Sequence, residues 1–210
     1  MIEIRNQFAR HLMLWVLTLP FLSAFLMPAF FPLEAMKIPA TEHETLVMLG
    51  QNPQDVTQRA SKVFSALFVD SGVVAMTQKI FKSRPTKIGG ESERNTGNKA
   101  AKYREGFWNL IYKAIWRFMG MWPVLSVLLL AFVVPAMVDG LVTREMKIDQ
   151  FRPHNPVFFW GASHSVIMIA GGFMFMPFLP LPITVPILYG AVALVALGMW
   201  TTTANLQIGT

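Results

Sequence analysis

With no cysteine in the chain, thiolate metal sites, disulfides and cysteine nucleophiles are excluded, and any chemistry falls to histidines, carboxylates and hydroxyls. The four histidines are His11, His43, His154 and His164. None belongs to a His-x-x-x-His or carboxylate-histidine pair with metal-ligand spacing, so the residues imply no metal and no cofactor. His164, in Gly161-Ala-Ser-His-Ser165, falls inside an apolar run, and a polar residue in hydrocarbon is a functional candidate by default. Its flanking Ser163 and Ser165 supply the plainer reading, a hydrogen bond to a neighbouring helix. Asp139 closes another apolar run, where a carboxylate must be wet, paired or protonated. Arg144 or a second helix would be its partner, and Gly140 suits a sharp exit from the helix. A proton relay would need a chain of ionisable groups, and the apolar runs offer only His164 besides. Glu145 and Asp149 flank Lys147 as a solvated, mixed-charge face. No Ser-His-Asp set, carboxylate pair or nucleophile elbow can be assembled, which points away from an enzyme. Gly89-Gly90 lacks the preceding strand and the Gly-Lys-Ser/Thr of a phosphate loop.

The elements that must carry these residues are apolar helices. Hydrophobic residues make up 53% and charged residues only 14% of the chain, against roughly 25% charged in an ordinary soluble domain. A helix needs ~20 apolar residues to cross the hydrocarbon core. Four stretches meet that length: 12–31, 118–142, 157–176 and 183–203. The first is longer than the apolar region of a signal peptide and no small-x-small cleavage site follows, so it reads as an uncleaved span bent at Pro20. Pro177 to Pro182 is a tight connection between the last two. The fold class expected is therefore an all-α membrane protein of four transmembrane helices, with a long helical loop between the first and second. Its parts are a lead and first span at 1–32, the loop at 33–117, the second span at 118–142, a charged turn at 143–156, a hairpin of two spans at 157–203 and a tail at 204–210.

The loop holds most of the basic and most of the acidic residues of a chain whose net charge is +6. In a membrane protein the simplest partner for a basic excess is anionic lipid. Thr41 and Glu44 have capping-box spacing, Gly50 suits a helix end, and Asn52-Pro53 suits a second start. Val56, Ala60, Val63, Phe64, Leu67 and Phe68 then recur at helical spacing opposite Gln54, Gln58, Arg59, Ser61, Lys62 and Ser65, which makes an amphipathic helix. Residues 69–81 are apolar enough for the interface, but Asp70, Gln78 and Lys79 discourage a crossing. Residues 83–102 read as a flexible linker. In 103–117, aromatic residues alternate with Arg104, Lys113 and Arg117. That mixture would serve single-stranded nucleic acid, but its place just before an apolar span argues for headgroup anchoring instead.

The positive-inside rule is nearly balanced, and the first span tips it towards a cytoplasmic N-terminus in the bacterial inner membrane. Gly161 and Ser165, at small-x-x-x-small spacing, permit a close helix contact, and a homo-oligomer is left open.

The stretch Pro135-Ala-Met-Val-Asp-Gly-Leu-Val-Thr-Arg-Glu-Met-Lys147 carries a resemblance. An apolar span ending in Asp-Gly-Leu-Val, a basic turn, then an aromatic-rich span with a histidine near its start resembles an uncharacterised inner-membrane protein family. Its members are encoded in integrating conjugative elements and conjugative plasmids. The resemblance implies a non-enzymatic accessory or scaffold protein of conjugative DNA transfer, near the coupling ATPase or the type IV secretion channel, with Asp139, Gly140, Arg144 and Lys147 as its signature. It also favours a cytoplasmic basic turn. Thr143, Met146 and Ile148 leave that turn less basic than in the family, which weighs against direct DNA contact. Two other functions fit the residues: a small transporter or channel component with Asp139 and His164 along a polar path, and a surface-exclusion or envelope-modifying protein acting through 33–117.

Overall fold

The computed structural model describes residues 8–80, 91–151 and 156–206. Every regular element among them is helical. Among the described residues, four helices are long and apolar enough to cross a membrane: Ala9–Phe30, Lys99–Asp149, Val157–Phe178 and Val185–Ala204. The chain forms two compact units. One comprises residues 1–20, 122–176 and 184–210, and the other residues 21–121 and 177–183.

In the first unit, α1 (Phe8–Leu12) passes into a π-helical turn, Met13–Thr18, before α2 (Leu19–Phe30) begins. The Leu19 N–H bonds the Leu14 carbonyl, so the ladder slips to i→i+5 directly ahead of Pro20, which has no N–H to give. The irregularity expected at Pro20 is therefore spread over the preceding turn. This segment packs along α8 (Pro156–Phe175), which in turn lies against α9 (Val185–Ala204). The contact is close at Gly171, where a Cβ would stand 2.6 Å from the Trp15 carbonyl oxygen. Expected spans at 157–176 and 183–203 thus match α8 and α9 within a residue or two.

In the second unit, the short α3 (Leu33–Met36) is followed by α4 (Ala40–Met48), which ends at Gly50, whose φ of 73° lets Gln51 N–H reach the Leu46 carbonyl. Asn52 caps α5 (Pro53–Phe64), its side chain accepting from Gln54 N–H at 2.9 Å with Pro53 in the first turn. The capping box expected at Thr41 does not form: α4 starts at Ala40 after Pro39, with no side-chain cap. Val56 and Ala60 are fully buried with Met36, Leu46, Leu110 and Trp116, which form the core of this unit. A π-helical turn, Ser65–Val69, and the left-handed Gly72 then lead into α6 (Val73–Ile80), bent 59° from what precedes it.

One helix, α7, runs unbroken from Glu91 to Asp149. It corrects two expectations. Residues 91–102, read as flexible linker, are its first turns, while 83–90 lie outside the described residues. Packing of 103–117 fixes a nucleus, after which each added residue needs only propagation. At the other end the helix does not exit at Asp139-Gly140. It continues to Asp149 and takes in much of the expected charged turn.

Candidate functional site

A helix that continues past Gly140 puts Asp139, Gly140, Arg144 and Lys147 within about 140° of one another at 3.6 residues per turn, one face of α7. That face meets the C-terminal end of α9. Trp200 Nε1 donates to Asp139 Oδ2 at 2.7 Å. Gly140 is buried against α9; a Cβ there would overlap Thr203 Oγ1 and lie 2.7 Å from the Trp200 carbonyl oxygen. Arg144 Nε donates to the Leu206 carbonyl at 3.0 Å, and Lys147 Nζ to the Ala204 carbonyl and to Asn205 Oδ1, both at 3.0 Å. The last carbonyls of a helix have no intrahelical donor and carry partial negative charge. Lys147 supplies a donor and the opposite charge to the last carbonyl of α9, and Arg144 holds the Leu206 carbonyl just beyond the helix end. Asp139 and Arg144 therefore have separate partners rather than each other, and Arg144 also touches its neighbour Glu145 at 3.2 Å.

His164 belongs to a different contact in the same unit. Its Nδ1 lies 2.8 Å from the carbonyl of Trp160 on its own helix, and its ring stands edge-on to His11 of α1 at 5.0 Å. The partner is thus a ring on the first helix and a carbonyl one turn back. Gly161 faces open space and the Ser165 hydroxyl turns back to the Gly161 carbonyl, so the small-x-x-x-small pair makes no close helix contact within the unit. Gly171, as described above, and Gly198, against Val166, take that part. His154 lies outside the described residues. Among the described residues no three His, Asp or Glu side chains are grouped to hold a metal ion.

The second unit holds a cluster centred on Glu42, which the sequence did not single out. Glu42, Lys113 and Arg117 are buried, at 0%, 1% and 1% exposure. Arg117 Nε donates to Glu42 Oε2 at 3.0 Å and Nη2 to Oε1, a two-pronged grip. Its remaining donors reach the carbonyls of Pro177, Leu179 and Leu181 at 3.0, 2.7 and 2.6 Å. All five N–H donors of the guanidinium are thereby used. Glu42 Oε1 also accepts from Ile183 N–H at 3.2 Å. Lys113 Nζ donates to the Ala35 carbonyl at 3.2 Å and stands 3.9 Å from Glu42 Oε1. The connection 177–183 explains why an arginine is needed. Pro177, Pro180 and Pro182 have no N–H, so its carbonyls outnumber local donors. One planar cation answers three of them.

This corrects the reading of Lys113 and Arg117 as headgroup anchors: both point inward. The aromatic residues beside them are also engaged within the unit. Trp116 Nε1 donates to Thr57 Oγ1 at 3.0 Å, Trp108 Nε1 to Thr77 Oγ1 at 3.1 Å, and Tyr112 hydroxyl shares a hydrogen bond with Ser61 at 3.0 Å. The sequence signal was the i,i+4 pair Lys113 and Arg117 on a face rich in aromatics, but nothing local pointed to Glu42, 75 residues earlier than Arg117.

What both clusters do is hold helices and a proline-rich connection in place. Neither presents a nucleophile with an adjacent base. No curated protein and no solved structure matches the chain. Residues 30–207 do match a family model, described as DtrJ-like, IncC plasmid conjugative DNA transfer protein, and the chain belongs to that family.

Proposed function

We propose that the protein is a non-enzymatic accessory or scaffold subunit of conjugative DNA transfer, set in the bacterial inner membrane and contacting the coupling ATPase or a subunit of the type IV secretion channel. The observation that carries this reading is the family match over 30–207. Asp139, Arg144 and Lys147 of the signature are committed to α9 and the residues just after it, which favours a scaffold over a reaction centre. Partner contact then falls to the outer helix faces and to the 33–117 region. In this reading the N-terminus is cytoplasmic and 33–117 lies on the far side of the membrane. Glu42 precedes the bent helix pair and Arg117 follows it, yet they touch. The chain between them would enter and leave on one side, so the bent pair would dip into the bilayer or lie on it without crossing.

Affinity purification of the tagged full-length protein from donor-cell membranes tests the proposal. The expected outcome is co-purification of the coupling ATPase or a channel subunit, and reduced transfer from donors lacking the gene. Normal transfer together with recovery of no transfer component would reject it.

A further inference from the structure

Within the second unit, a cavity of about 310 Å³ lies under the bend between the 65–69 turn and α6. Its walls include Phe25, Phe68, Val73, Phe107 and Trp108, and the charged residue of the lining is Arg104. The other polar lining groups are already occupied: Thr77 Oγ1 accepts from Trp108 Nε1, and the Tyr103 hydroxyl donates to the Phe25 carbonyl at 2.9 Å. Arg104 is half-buried and makes no hydrogen bond or ion pair among the described residues. An apolar chamber of this size with one convergent polar group has the make-up of a ligand site.

We infer that this cavity takes one acyl chain of an anionic glycerophospholipid, with the lipid phosphate on the Arg104 guanidinium. Two features select such a lipid. A guanidinium with no partner among the described residues matches the forked geometry of a phosphate, whereas an apolar partner helix would gain nothing from a cation in the wall. The apolar surface also continues beyond the cavity: Met76 and Ile80, along the same helix as Val73, are 63% and 64% exposed. The bent pair they belong to is apolar enough for a broken membrane span or a re-entrant loop. Bilayer lipid is the apolar molecule such a surface meets.

Native mass spectrometry of the detergent-purified full-length protein tests this, with phosphatidylglycerol and phosphatidylcholine of identical chains offered in turn. The wild type should retain one phosphatidylglycerol, about fivefold over phosphatidylcholine, the preference expected of one basic side chain near an anionic lipid. Arg104→Gln should bring that ratio close to one. Val73→Trp, which fills the chamber, should abolish retention of both lipids, and Lys102→Gln, an exposed cation off the lining, should change nothing. Equal retention of the two lipids by the wild type, or wild-type behaviour of Arg104→Gln, overturns the assignment. If Val73→Trp fails to fold, tryptophan quenching by brominated-chain phosphatidylglycerol at one lipid per protein decides. Trp108→Phe should remove most of the quenched emission, and an unchanged quench places the lipid elsewhere and overturns the site.

Discussion

Glu42 shows how much one carboxylate can be asked to hold. It balances two buried cations, and without it Lys113 and Arg117 would share a dry site with only carbonyls for company. Removing one partner of a buried ion pair costs about 3–5 kcal/mol, because the charge left behind is uncompensated. Glu42→Gln is therefore expected to lower stability by that amount in a denaturation series in detergent. The Glu42→Gln/Arg117→Gln double variant should lose less than the sum of the singles, since the two share one interaction. A loss within about 1 kcal/mol for Glu42→Gln, the size of an exposed pair, would show that the cluster carries little. The glycines make a second contrast. Gly140→Ala should destabilise by about 1–3 kcal/mol through overpacking, and Thr203→Ala should rescue only part of it, because the Trp200 carbonyl still blocks the new methyl. Gly161→Ala meets open space and should be neutral or stabilising by up to about 1 kcal/mol from helix propensity. Thermal midpoints of the three variants in one detergent would rank them.

At the scale of elements, the seam between α7 and α9 depends on α7 not ending where its sequence invites it to. Asp139-Gly140 after an apolar run reads as a stop, and Gly140 does weaken the helix by about 1 kcal/mol relative to alanine. The glycine stands there to let α9 approach, and no proline follows before Pro153 to force an exit. The signature was visible in the sequence, but its common face was not, because a face exists only if the helix runs on. The caps that result can be measured. Lys147→Ala removes two donors from the end of α9, and loss of a cation at a helix C-terminus is worth about 0.3–1 kcal/mol. Backbone amides of 202–206 should then exchange with deuterium about two to five times faster, with α8 unaffected. Unchanged exchange would mean that the cap does not hold the last turn.

At the scale of the whole molecule, the ion pair between Glu42 and Arg117 limits how the chain can pass a membrane. Single cysteines at Met48 and Lys102, both exposed, should label from the same side in intact cells, and a cysteine at Gln150 from the opposite one. The absence of native cysteine makes the readout clean. Labelling of Met48 and Lys102 from opposite sides would mean that 53–80 crosses. The sequence by itself determined the apolar helices and the tight hairpin, because membrane-length hydrophobic runs and prolines act over a few neighbouring residues. It also carried a family resemblance on the Asp139–Lys147 stretch, which the match over 30–207 bears out at the level of a conjugative transfer family. Only the tertiary structure decided what the charges are for. Arg117 and Lys113 look like headgroup anchors until a carboxylate far away in sequence meets them, and Asp139 looks like an exit until α9 supplies Trp200. Burial and ion pairing are settled by residues brought together across the chain, and local sequence does not contain that partner.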